Sequence, residues 1–252
     1  MLVYAPYRGI IMGLIKDSSY IEQIGIKETI CATNMGHVIH ILNNGKKYKE
    51  FGSEYQDLGD LINVSFKEEL VKQTEEYNHP LISFPEIVIS TEEKLFGIIG
   101  DYEIGTPLTM IHPNTSLKRL ISLVIQMENE IERLSLKGWN LEDIHEENIL
   151  INLKSYKKPI RIIDTDYYCF QPNRDKLELN RQNIKKIFRS FIISIIPNLS
   201  STEIWLEDEL QDKYFLASNG LMKTSDFLLY LIRKIPQLKE EPQNIKTLRK
   251  TL

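Results

Sequence analysis

The sequence predicts an α+β chain: a small, antiparallel β-rich N-terminal lobe with one main helix, then a larger and mostly helical C-terminal lobe. Three observations carry that reading. Short runs rich in β-branched residues are concentrated before residue 103, one long amphipathic pattern begins near residue 116, and helical patterns recur from about Asn180 onward. The division is placed at 1–103 and 104–252, with residues 1–25 either an N-terminal extension or part of the first lobe.

The elements follow in order. "ETICATN" and "HVIHIL" are β-rich runs separated by Asn34-Met35-Gly36, and Asn43-Asn44-Gly45 is a tight-hairpin signal before "KKYKEF". Three antiparallel strands are expected there. Ser65, with Glu68 three residues on, matches a capping box for a helix over "FKEELVKQTEEYN", which Pro80 prevents from continuing. "EIVIS" and "KLFGIIGDY" read as two more strands. From a cap at Thr115 or Ser116, Leu117, Leu120, Ile121, Val124, Met127, Ile131 and Leu134 recur at helical spacing until Gly138 stops the helix. "NILI" and "RII" are short apolar strands, and "IKKIFRSFIISII" and "SDFLLYLIRKI" read as later helices.

Composition narrows the function classes. With 252 residues, 42% hydrophobic and 26% charged, the chain can bury a core, and no Pro/Ser-rich tract marks a linker. A net charge of -4, from 31 basic and 35 acidic residues, is not the footprint of a dedicated nucleic-acid binder. Lys46-Lys47 and Lys157-Lys158 read as solvated turns. The N-terminal "MLVYAPYRGIIMGLIK" has no charged region leading into a long apolar one, and "FIISII" is too short to span a bilayer, so a cytoplasmic protein without a membrane span is expected. Cys31 and Cys169 lie far apart without metal-ligand spacing and read as small buried residues.

The stretch "GWNLEDIHEENILINL" places Glu142, Asp143, His145, Glu146 and Glu147 between apolar runs. Asp143 is followed at 148 by Asn, then by "NILI", a turn over 154–159 and "RII", which ends at Asp164. A hairpin of the two short strands would set Asn148 near its start beside Asp164 at its far end. Amide and carboxylate oxygens in that arrangement suit a hard cation such as Mg²⁺ together with substrate phosphates. Asp143 would remain free to orient a hydroxyl and accept its proton during phosphoryl transfer.

On these residues the sequence resembles the protein-kinase-like superfamily. "LEDIHEENIL" is similar to the catalytic loop, with Leu141-Glu142-Asp143 where eukaryotic-type Ser/Thr protein kinases carry H-R-D, and "DTD" at 164–166 is similar to D-F-G. "DIHEEN" also resembles the loop of aminoglycoside and choline kinases. The resemblance implies a bilobal fold and an ATP- and Mg²⁺-dependent transfer to a hydroxyl. Asp143 would be catalytic, Asn148 and Asp164 would hold the metal, and Lys49 would be the third-strand lysine. Glu69, or its neighbour Glu68, would pair with that lysine, and Asp101-Tyr102 would form the adenine-contacting hinge. The glycine-rich loop is reduced to "NMG" at Gly36, Glu142 replaces the family's Arg, and no A-P-E closes the short segment after Asp164. The leading expectation is a Ser/Thr protein kinase-like enzyme; a small-molecule phosphotransferase and a non-catalytic, pseudokinase-type binding module are the alternatives. The partners are then ATP and a protein or small-molecule hydroxyl acceptor.

Plainer readings stand beside these. Lys49 could be a solvated strand-edge lysine, His145 could shape the loop through backbone hydrogen bonds, and Asp166 could be a turn residue. Trp139 reads as core, and His37, His40, His79 and His112 form no ligand-spaced cluster.

Overall fold

A computed structural model describes residues 15–32, 36–155, 157–196, 208–234 and 243–251. Mixed α and β structure divides into two compact units, one of Met1–His79 with Ser83–Glu103, the other of Pro80–Ile82 with Ile104–Leu252.

The first unit is built on a six-stranded sheet. Its strands are β1 (Ile15–Lys16), β2 (Ile26–Ala32), β3 (Val38–Leu42), β4 (Lys47–Glu50), β5 (Ile87–Ser90) and β6 (Leu95–Gly100), in the order β1-β5-β6-β4-β3-β2. The strands are antiparallel except for β1, which runs parallel to β5. The β3–β4 hairpin closes through Leu42 N–H to Lys46 O and Gly45 N–H to Leu42 O, as the Asn-Asn-Gly signal predicts.

Alternation along the strands gives the sheet two apolar faces. On one, Leu42, Tyr48, Ile87, Ile89 and Ile99 pack together with Tyr20, Ile21 and Ile24 of α1 (Ser19–Ile24). Of the stretch that the sequence left open, residues 15–25 therefore join the sheet; residues 1–14 lie outside the described residues. On the other face, Phe51, Val88, Leu95 and Ile98 meet Leu70, Phe66 and Val71 of α2 (Leu61–Thr74).

Helix α2 begins earlier than the capping-box pattern predicts. Its cap is Asp60, whose carboxylate accepts the Ile62 N–H at 2.8 Å, and Ser65 and Glu68 are exposed within the helix. Buried Asn63 explains the extra turn: its amide donates to the carbonyls of Glu54 and Asp57, drawing the preceding loop onto the helix start.

The second unit is organised around α3 (Leu117–Lys137), whose seven predicted apolar positions are all buried. Gly138 ends it at φ 109°, and a Cβ there would stand 3.0 Å from both Gln171 O and Pro172 Cα, so glycine serves both the turn and the close approach. Packed against α3 are α4 (Lys176–Ile195) and α6 (Thr224–Lys234), with α5 (Asp208–Ser218) against α4 and α6. Helix α4 starts before Asn180 because Asp175 caps it, accepting the N–H groups of Leu177 and Glu178. The last described helix is α7 (Ile245–Thr251).

Short strands complete this unit: β7 (Thr106–Pro107), β8 (Trp139–Asn140), β9 (Ile149–Ile151), β10 (Ile160–Ile162) and β11 (Cys169–Phe170). They form a three-stranded sheet, β10-β9-β7, and a pair, β11-β8. Trp139 is core, buried against Phe170.

The cysteines depart from the buried reading. Cys31 is exposed on edge strand β2 and Cys169 is half-buried. Among the described residues no helix is long and apolar enough to cross a membrane.

Candidate functional site

The hairpin of β9 and β10 builds the centre of the second unit's site. Ile162 pairs with Ile149, and Ile163 N–H then donates to Asn148 O at 2.9 Å. This register sets Asn148 and Asp164 at one end of the hairpin, a consequence of two apolar strands pairing without a slip. Asp164 turns the chain out of β10 at φ 59°, a left-handed conformation uncommon for non-glycine residues and more accessible to Asp than to most.

Asp143 is joined to the same end. The Asn148 side-chain amide donates to Asp143 O at 3.1 Å, and Asn148 N–H donates to His145 O. With Nδ2 spent on that carbonyl, Oδ1 of Asn148 is left as an oxygen donor. His145 Nδ1 accepts the Glu147 N–H at 3.3 Å, so the histidine shapes the loop. Asp143 and Asp164 are half-buried, while Asn148 and Asp166 are buried.

Tyr168 is wholly buried, its N–H bonded to Thr165 O. Burial pushes its phenol far above the usual tyrosine value, and the charges of Asp143 and Asp164 add to the shift. Its hydroxyl therefore stays protonated.

Beneath the loop lies a support that the sequence reading missed. Asn183, buried in α4, accepts the Leu141 N–H at 3.1 Å and donates to Trp139 O at 3.1 Å and to Ser135 Oγ at 3.0 Å. Lys186, one turn on, donates to Leu141 O at 2.9 Å. The signal for Asn183 was a polar residue in the apolar stripe formed by Leu179, Ile187 and Phe191. Lys186 gave none, because a lysine on an amphipathic helix reads as solvated.

In the first unit, Lys49 is buried at 4% exposure on β4, an interior strand, which removes its reading as a solvated edge lysine. It pairs across the ladder with Ile39 and Ile98, and therefore shares the face that α2 covers. On α2, Glu69 is half-buried and Glu68 exposed, so Glu69 is the inward member of the pair. A Cβ on Gly97 would lie 2.1 Å from Lys49 O; glycine in β6 permits the strand approach that holds Lys49.

Gly36 is exposed at φ 73° between β2 and β3; Asn34 and Met35 of the "NMG" lie outside the described residues. Asp101 follows β6 and is tied down: its carboxylate accepts from Lys46 Nζ at 2.7 Å and from the Tyr77 hydroxyl at 3.1 Å. Tyr102 is 48% exposed. Lys46 is not the solvated turn residue expected, since it also pairs with Glu86 at 2.9 Å. Burial lowers the pKa of its ammonium, but the bonds to Asp101, Tyr77 and Glu86 outweigh that and raise it above the usual lysine value.

Among the described residues no group of three or more His, Cys, Asp or Glu side chains could hold a metal by itself. Asn148 and Asp164 supply two hard oxygen donors, a set that fits Mg²⁺ brought in with phosphate oxygens and water. Compared with protein-family models and with curated proteins, the chain gives no match.

Proposed function

We propose that the protein is an ATP-dependent phosphotransferase, with its two units the lobes of a protein-kinase-like fold, passing the γ-phosphate of Mg-ATP to a hydroxyl acceptor. The observation that carries this reading is the β9–β10 register, which sets Asn148 beside Asp164 while the Asn148 amide holds Asp143 by its backbone. Asn148 and Asp164 would hold Mg²⁺, which when bound neutralises phosphate charge. Asp143 orients the acceptor hydroxyl, whose oxygen forms the new bond to phosphorus as the bond to the β-phosphate oxygen breaks. The hydroxyl proton passes to Asp143, and ADP leaves.

In the first unit, Lys49, with Glu69 as its proposed partner, would engage the α- and β-phosphates, and Gly36 would stand at the turn over them. Because Lys46 and Tyr77 occupy the Asp101 carboxylate, contact with the adenine at Asp101-Tyr102 falls to the backbone.

A Ser/Thr hydroxyl of a protein is the first acceptor class. A small alcohol is the second, favoured by one observation: only residues 165–175, including β11, separate Asp164 from α4, little chain from which to build a peptide platform. Both classes are tested by following transfer from labelled Mg-ATP to a panel of proteins and of small amino-alcohols. Label on a protein hydroxyl supports the first and label on a small alcohol the second. Mg-ATP binding with no ADP formed under any condition supports a non-catalytic binding module.

A further inference from the structure

Between Trp139 and Asp143 the backbone is held at successive points. Trp139 O and Leu141 N–H both bond to the Asn183 amide, Leu141 O accepts from Lys186 Nζ, and Asp143 O accepts from the Asn148 amide. The Leu141 peptide groups are thus gripped on both sides by residues three apart on α4, which share one helix face.

Lys186 also reaches Asn140 Oδ1 at 3.4 Å, and Asn140 Nδ2 donates to Glu142 Oε1. A cation from α4 therefore lies under the residue preceding Asp143, where the chain carries Glu142. Burial lowers the Lys186 pKa, while Glu142, Cys169 and Asp143 act in the opposite sense. A half-buried ammonium on a backbone carbonyl is a stronger tether than a neutral donor, and weakening it would free the loop locally without exposing core.

We propose that Lys186 is a positioning residue: through the Leu141 carbonyl, and with Glu142 above it, it fixes the segment from which Asp143 projects. The inference rests on the phosphotransferase reading for its kinetic consequence, but the tether itself is a property of the loop.

The test compares Lys186→Met, which keeps the apolar stem and loses the donor, with Lys186→Arg, which keeps donor and charge. Lys185→Met, on the exposed side of α4, is the control. Turnover is read as ADP formed from Mg-ATP with water as acceptor, and loop order as amide hydrogen exchange over residues 139–148. Lys186→Met should lower kcat about ten-fold with KM for Mg-ATP within about two-fold, and should speed exchange over 139–148 while the rest of α4 is unchanged. Lys186→Arg should restore most of both, and Lys185→Met should alter neither. Unchanged exchange in Lys186→Met overturns the tether, whatever the activity. Faster exchange with unchanged kcat overturns the positioning role. Equal losses in kcat, nucleotide affinity and global stability would make Lys186 merely structural. If the wild type forms no ADP, the phosphotransferase reading fails, and faster exchange in Lys186→Met still supports the tether.

Discussion

Asp164 combines two features that a turn residue rarely needs together: a left-handed backbone at φ 59° and a carboxylate at the open end of a hairpin. Glycine would make the same turn without strain, so the side chain is being kept at a cost of about 1 kcal/mol. Asp164→Gly should leave the melting temperature unchanged or raise it, while abolishing the stabilisation by Mg-ATP. A variant that melts lower and still responds to Mg-ATP would show that the carboxylate serves the fold. Lys49 has the same character, an ammonium kept inside a sheet where a Met would pack more cheaply. Lys49→Met should preserve the fold and weaken Mg-ATP affinity about ten-fold or more, as calorimetry would measure. Unchanged affinity would direct attention to Lys47, half-buried on the same strand face.

Elements whose signal is local are the ones that the sequence predicts well. The β3–β4 hairpin is encoded by Asn-Asn-Gly, α3 by seven apolar positions and a terminal Gly, and the β9–β10 hairpin by two apolar runs that end in polar oxygen donors. What sequence periodicity does not reach is tertiary capping. Asp60 starts α2 where Asn63 draws the preceding loop in, and Asn183 holds a segment more than forty residues away. Glu128 is another such case. Buried within α3, it caps the start of α6, accepting the N–H of Thr224 at 2.5 Å and the Ser225 hydroxyl at 2.5 Å. Replacing it by Leu would strand those donors and should cost about 2–4 kcal/mol by chemical denaturation. Burial raises the Glu128 pKa above 4.5, although the hydrogen bonds partly offset it. The folded state thus favours the protonated acid: its contribution is full below the unfolded value and is lost as pH rises through the folded one. Glu128→Gln keeps the acceptor without the ionisation, so its stability relative to wild type should increase from pH 4 upward. A constant difference across that range would mean that folding does not shift the Glu128 pKa.

At the scale of the whole molecule, the proposed function makes Mg-ATP the ligand to test. A ligand that binds only the folded state raises stability by RT ln(1 + [L]/Kd), about 2.7 kcal/mol at a hundred-fold excess over Kd. Millimolar Mg-ATP should therefore raise the melting temperature by several degrees, and chelating the cation should remove most of the shift. The sequence carried the order of elements and the trio Asp143, Asn148 and Asp164. It could not carry the partner of Asp101 or the tether under Asp143, each of which joins residues distant in the chain. The central claim is that Asp143 serves the acceptor and Asp164 the cation, and parallel calorimetry and ADP-formation assays on Asp143→Asn and Asp164→Asn test it most directly. Asp143→Asn should bind Mg-nucleotide like wild type and lose most turnover, because an amide keeps the shape but cannot take the hydroxyl proton. Asp164→Asn should lose both, because a dication strongly prefers the carboxylate. If Asp143→Asn abolishes nucleotide binding while Asp164→Asn binds and turns over normally, the assigned roles are contradicted.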